Sequence, residues 1–228
     1  MYYNKLSSED IILDEREIAA RLGVPLNTLT GEDNATLIGE HNGTLVGEHN
    51  STLTDEHNTA LTGEYDAALK DVIRAAAPAY VAERVRIMRE GNALILGKIK
   101  VESEALSRAS SDCEYAYLMC ATLGIEADRL IMRRSGMSVA EGFVIDALSD
   151  AMIEGVCDFA ERELCGDGYS SIRFSPGYGD LPLSVGREIV SCLNGEKLLG
   201  VRFTDSDMMI PKKTVSAIIC IKTEKSNG

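Results

Sequence analysis

Residues 172–183 read IRFSPGYGDLPL, and the fold hangs on how this stretch is read. A short strand-like run over 171–174 enters a turn built from Pro176, Gly177 and Gly179, and Pro182 suits the first turn of a following helix. Glycine lets the backbone of such a turn come close to a ligand. Arg173, just before the turn, can hold a carboxylate through two parallel hydrogen bonds. Tyr178, at the tip, offers a flat ring and a hydroxyl that donates or accepts. Strand, tight turn and helix thus frame a candidate site for a small zwitterionic ligand. The plainer reading is an ordinary turn beside a surface arginine, since short motifs match by chance.

Outward from this stretch, the apolar pattern alternates between helix and strand. Residues 139–164 carry Val144, Leu148, Ala151, Val156 and Phe159 near helical spacing, which predicts the longest helix. Residues 126–134 predict another helix, and residues 115–122 form an apolar run that reads as a buried strand closed by Gly124. Residues 94–101 read as a strand and Ser103 as the start of a short helix. The pattern over 65–90 reads as helical, divided at Pro78. Two further strands fall near 200–203 and 214–222. Strands separated irregularly by helices predict an α+β domain with a twisted, mostly antiparallel sheet flanked by helices.

Towards the N-terminus, Ile11-Ile12-Leu13 is an apolar lead-in. Asp14 is a good N-cap with Glu17 three residues on, and Gly23 with Pro25 ends a short amphipathic helix. Next comes an eight-residue repeat with copies beginning at Gly31, Gly39, Gly47, Asp55 and Gly63, and leucine at 37, 45, 53, 61 and 69. On a helix each repeat turns its leucine by about 80°, so no straight stripe forms. An extended chain keeps them on one face. The region reads as a loosely ordered insertion, or one ordered only against a neighbour. All three histidines, His41, His49 and His57, lie in it, about 26 Å apart if extended and about 12 Å apart if helical, too far for chelation without folding back. Three segments result: 1–30 with the short helix, 31–69 with the repeats, and 70–228 as the main domain.

Among 228 residues, 36 acidic against 23 basic side chains leave a formal net charge of −13, which opposes binding to nucleic-acid phosphates. No apolar run approaches the ~20 residues of a membrane span and no secretory h-region opens the chain, so a cytoplasmic location is expected. The six cysteines include no Cys-x-x-Cys and have no histidine nearby, so they read as reduced, buried thiols and not as a zinc site.

Arg173-x-Ser175-Pro176-Gly177-Tyr178, then Gly179-Asp180-x-Pro182-Leu183, resembles the S-adenosylmethionine motif in the activation domain of cobalamin-dependent methionine synthase. Further pieces occur in that family's order. They are Thr122-Leu123-Gly124, Asp128-Arg129-Leu130-Ile131, Asp146-Ala147-Leu148 leading to Glu154, Glu196-Lys197, Gly200-Val201, Phe203-Thr204-Asp205-Ser206 (Leu-Thr-Glu-Ser-like), Met208-Met209-x-Pro211 and Thr214-Val215-Ser216-Ala217. The likeness covers residues 94–221 and looks closest to short free-standing forms of the domain.

This resemblance implies a binding site for S-adenosylmethionine made by Arg173, Ser175, Pro176, Gly177, Tyr178 and Glu154. Arg173 would meet the carboxylate, Glu154 the ammonium or sulfonium, Ser175 and Gly177 would supply backbone contacts, and Tyr178 would face the reacting methyl. It implies no catalytic acid–base residue, since the region of likeness holds no histidine. Cobalamin would come from a partner, a corrinoid-binding methionine synthase core, with a flavodoxin-like protein as electron donor. Asp55-Glu56-His57 lacks the glycine of the cobalt-ligating Asp-x-His-x-x-Gly loop and reads as coincidence. Ile218-Ile219-Cys220 stands where the full-length enzyme has an aromatic pair, which puts adenine packing in question. The expected function is reactivation of a partner-bound cobalamin by reductive methylation. The alternative is a regulatory or interaction protein that kept the fold and lost the ligand, and a self-sufficient methyltransferase comes third.

Overall fold

The computed structural model describes residues 1–24, 55–166 and 171–222. The first three repeat copies, with His41 and His49, lie outside the described residues. The last two copies fall in a helix, α2 (Asp55–Ala75).

At the centre is an antiparallel sheet. Its strands are β1 (Tyr2–Lys5), β2 (Ala79–Glu90), β3 (Ala93–Leu96), β4 (Ile99–Glu102), β5 (Cys113–Thr122), β6 (Ser171–Phe174) and β9 (Thr214–Lys222). The order is β4-β3-β2-β5-β9-β6, and β1 shares one edge of β2 with β3. A separate small hairpin pairs β7 (Arg202–Phe203) with β8 (Met209–Ile210). The α+β class and the antiparallel sheet expected from the sequence are therefore present.

Both faces of the sheet are covered, which explains why residues 115–122 are apolar without interruption. Along β5, Tyr117, Met119 and Ala121 enter one core with Tyr80, Ala217 and Ile219, beneath α1 (Glu15–Leu22), α2, α4 (Ile125–Met137) and α5 (Val139–Cys165). Ala116, Leu118 and Cys120 point the other way, with Val81, Ile218 and Cys220. That second core is closed by β3, β4, α3 (Glu104–Ala109), α6 (Val185–Cys192) and α7 (Gly195–Leu199). The two-residue period of a strand divides its side chains between the layers.

Helix α5 is the long helix expected from 139–164. Ile145, Leu148, Met152, Val156 and Ala160 are buried in the first core. The N-terminal segment lies across it at Gly155, where an added Cβ would sit 2.6 Å from Ile11 Cγ2 and 2.7 Å from the Ile12 carbonyl oxygen. Asp14 caps α1 as expected, accepting from the amides of Arg16 and Glu17. Buried Lys213, just before β9, bonds Asp146 at 2.8 Å and Asp150 at 2.6 Å, and Arg21 reaches Asp150 at 3.1 Å. Strand, long helix and N-terminal helix are tied together there. None of the six cysteines is in a disulfide, and five of them are buried.

Three local readings are corrected. The helix expected over 65–90 ends at Ala75, and Ala79–Glu90 is the long central strand. Pro78 stops the helix, and Val85 and Ile87, alternating with charged Arg84 and Arg86, follow a two-residue period that the apolar count over the whole window hid. The strand over 94–101 is a hairpin, because Gly97 takes a left-handed φ of +64° and turns the chain. Pro182 does not open the helix itself. Its carbonyl accepts from the Val185 amide at 3.2 Å in a lead-in turn, and α6 begins at Val185.

Candidate functional site

β6 is the last strand of the sheet, paired with β9 so that Arg173 lies opposite Ile219. This register sets Arg173 against the exposed flank of α5. Its guanidinium donates to Glu154 Oε2 at 2.8 Å and to Asp158 Oδ1 at 2.9 Å, with Glu161 Oε2 at 3.6 Å. Burial opposes the charge on Arg173, but the carboxylates of Glu154 and Asp158 beside it more than offset this and raise its pKa. Cys157 is a thiol whose pKa burial pushes up, so it stays protonated.

Beside this cluster opens a cavity of about 190 Å³, lined by Glu154, Arg173, Ser175, Pro176, Leu183, Gly186, Phe203, Asp207, Met209, Thr214, Val215 and Ser216. Four of the expected site residues, Glu154, Arg173, Ser175 and Pro176, thus meet at one opening. Gly177 and Tyr178 stand outside its lining.

Their position follows from how the turn bonds to itself. Gly177, at φ +90°, donates its amide to the Leu181 carbonyl at 2.8 Å, and Tyr178 donates to the Ser175 carbonyl at 3.1 Å. The amides expected to face a ligand therefore hold the turn together. Leu181 is buried as its anchor. Tyr178 is 69% exposed, and its ring meets Phe174 edge-on with centroids 5.2 Å apart.

Asp180 locks the turn to the rest of the domain. Its carboxylate accepts from Ser103 Oγ at 2.6 Å and from the amides of Glu104 at 2.7 Å and Ala105 at 3.2 Å. It therefore satisfies free amides in the first turn of α3 from outside that helix. The Ser103 hydroxyl and these amides bond to the charged form and lower the Asp180 pKa. A folded-state pKa below the unfolded one stabilises the fold above the ordinary carboxylate range, and this is lost as pH falls through the lowered value. Thermal midpoints of the native chain and of Asp180→Asn, measured from about pH 7 to about pH 3, should therefore converge on acidification. A gap that stays constant or widens contradicts the tether.

Asp158 and Glu161 were missed in the sequence, although Glu154, Asp158 and Glu161 stand at i, i+4 and i+7 on one helix and so share a face. Phe203, Met209 and Thr214-Val215-Ser216 belong to segments that carried the family resemblance. Nothing in the sequence pattern said that they line the same opening as Arg173. Among the described residues, no group of three His, Cys, Asp or Glu could hold a metal ion.

The comparisons with known proteins converge on one domain type. Residues 151–227, which contain Glu154, the 173–183 turn and β9, match the family model "Vitamin B12 dependent methionine synthase, activation domain". Residues 151–227 are thus similar to that activation domain. Among solved structures, it is similar to the MetH reactivation domain bound to AdoHcy, with a TM-score of 0.60, 17% identity, and coverage of 100% of this chain and 80% of that one. No curated protein matches the chain. The fold expected from the motif order is thus shared with that reactivation domain, and among the described residues no helix is long and apolar enough to cross a membrane.

Proposed function

We propose that this protein binds S-adenosylmethionine at the Arg173–Glu154 cavity and presents its methyl group to a cobalamin carried by a corrinoid-binding methionine synthase partner. The supporting observation is the juxtaposition of Glu154 and Arg173, 2.8 Å apart, at a cavity lined by Ser175, Pro176 and the Thr214-Val215-Ser216 strand within the family-matched segment. A ligand with a carboxylate and two positive groups suits one arginine surrounded by three acids. Its carboxylate would displace Asp158, which is 63% exposed and holds Arg173 only through a solvent-screened pair. Glu154 would then face the ammonium or sulfonium.

Cobalamin held by the partner would supply the methyl-accepting chemistry, given one electron from an external donor, a flavodoxin-like protein in this reading, with S-adenosylhomocysteine as the leaving product. This chain's own residues bind, orient and expose the methyl donor, and no proton relay is required of them. Tyr178, exposed at the tip, would border the docked corrinoid. Ser175 and Pro176 would shape the floor on which the ligand's amino-acid end rests.

A second reading, a regulatory protein that kept the fold and lost the ligand, draws on the small volume of the cavity. About 190 Å³ falls below the roughly 300–1,000 Å³ usual for sites that enclose a ligand. Calorimetry with S-adenosylmethionine separates the two. Saturable binding, together with methylation of cob(II)alamin on a methionine synthase core lacking its own activation domain under a chemical reductant, supports the first. No binding, either alone or with that core present, supports the second.

A further inference from the structure

We propose that Phe203 is the platform on which the adenine of S-adenosylmethionine stacks, an assignment that rests on the binding reading above. A purine buried against protein needs a flat apolar surface, and an aromatic ring supplies one by stacking. The cavity lining contains one aromatic ring, that of Phe203. Ile218 and Ile219 are fully buried in the two cores and offer no surface to the opening. Tyr178 is outside the lining and leans on Phe174.

The surroundings of Phe203 are arranged for this use. Arg187 lies over its ring, with the guanidinium carbon 4.8 Å from the centroid. That arginine is held by Asp207 at 2.9 Å and by the Thr204 carbonyl at 2.9 Å, which fixes the ring from its side. Arg187 lines only a neighbouring open groove of about 600 Å³, whereas Phe203 lines both that groove and the Arg173 cavity. The ring is therefore the partition between them. Gly186 keeps the approach open, since a Cβ there would stand 3.0 Å from Ser216 Oγ, 3.8 Å from Pro176 and 3.9 Å from the Phe203 ring edge. A cavity of about 190 Å³ accommodates the amino-acid end at Arg173 and leaves the purine to extend along this partition towards the groove.

Binding of S-adenosylmethionine to the native chain, Phe203→Leu, Phe203→Tyr and Arg173→Ala is the test. Leucine keeps the apolar packing and removes the ring, so Phe203→Leu should weaken affinity about 10-fold or more while its thermal midpoint stays close to native. Phe203→Tyr should bind within about 3-fold of native, because the ring is retained. On the native chain, nuclear Overhauser contacts should link the adenine protons to the Phe203 ring, a readout that does not depend on any variant folding. Loss of binding in Arg173→Ala with native affinity in Phe203→Leu, or no such contacts, overturns the adenine assignment and leaves the site reading standing. No binding by the native chain overturns both.

Discussion

Replacing Arg173 with alanine is expected to weaken S-adenosylmethionine binding by about 100-fold or more, the equivalent of ~3 kcal/mol. Two effects combine. The ligand's carboxylate loses a donor of two parallel hydrogen bonds, and Glu154, Asp158 and Glu161 are left facing each other without their shared cation. The first effect is specific to binding, and the second also lowers the stability of the β6–α5 junction. Arg173→Lys separates them. Lysine restores the charge but not the planar fork, so stability should recover more than affinity. If Arg173→Ala binds as tightly as the native chain, the carboxylate is held elsewhere and the site is misassigned.

The second large effect concerns the fold. Leu148 is fully buried in the core between α5 and the sheet, in the same helix that carries Glu154 and Asp158 on its outer flank. Leu148→Ala removes apolar surface and leaves a cavity in a layer that cannot collapse, since sheet and helices bound it on both sides. A loss of about 3–4 kcal/mol follows, or roughly 10 °C in thermal midpoint for a chain of this size. Met132 in α4 is 71% exposed, and Met132→Ala should stay within about 0.5 kcal/mol of native. Denaturant unfolding measures both. Equal losses at the two positions would mean that α5 is not the buried spine of the domain.

What could be read in the sequence, and what could not, divides along physical lines. Local signals were legible. Asp14 capping α1, the apolar run of β5, the long period of α5 and the Pro176–Gly177–Gly179 turn each depend on neighbours in the chain. The central strand β2 was not legible as a strand, because Ala79, Tyr80, Val81 and Ala82 are all buried and give a continuous apolar run that suits a helix as well. Only pairing with β5 on one edge and with β1 and β3 on the other decides it. At the site, Arg173 and Glu154 were named from the order of motif pieces, and the fold brings them within hydrogen-bonding distance. That Gly177 and Tyr178 would spend their amides inside the turn was not legible, since it depends on where Leu181 is buried. Nor was the convergence of Phe203, Met209 and Thr214-Val215-Ser216 on the same opening, which arises from the β7–β8 hairpin folding beside the start of β9.

The central claim is that the opening between Arg173, Glu154 and the 173–183 turn accepts a sulfonium metabolite by exchanging one carboxylate for another. A crystal structure of the protein with S-adenosylmethionine tests this most directly. The account predicts the ligand's carboxylate on the Arg173 guanidinium, with Asp158 swung out to solvent and the methyl group directed to the open side near Tyr178. A ligand bound away from Arg173, or an Arg173 still clasped by Glu154 and Asp158 beside an empty cavity at saturating ligand, would contradict it.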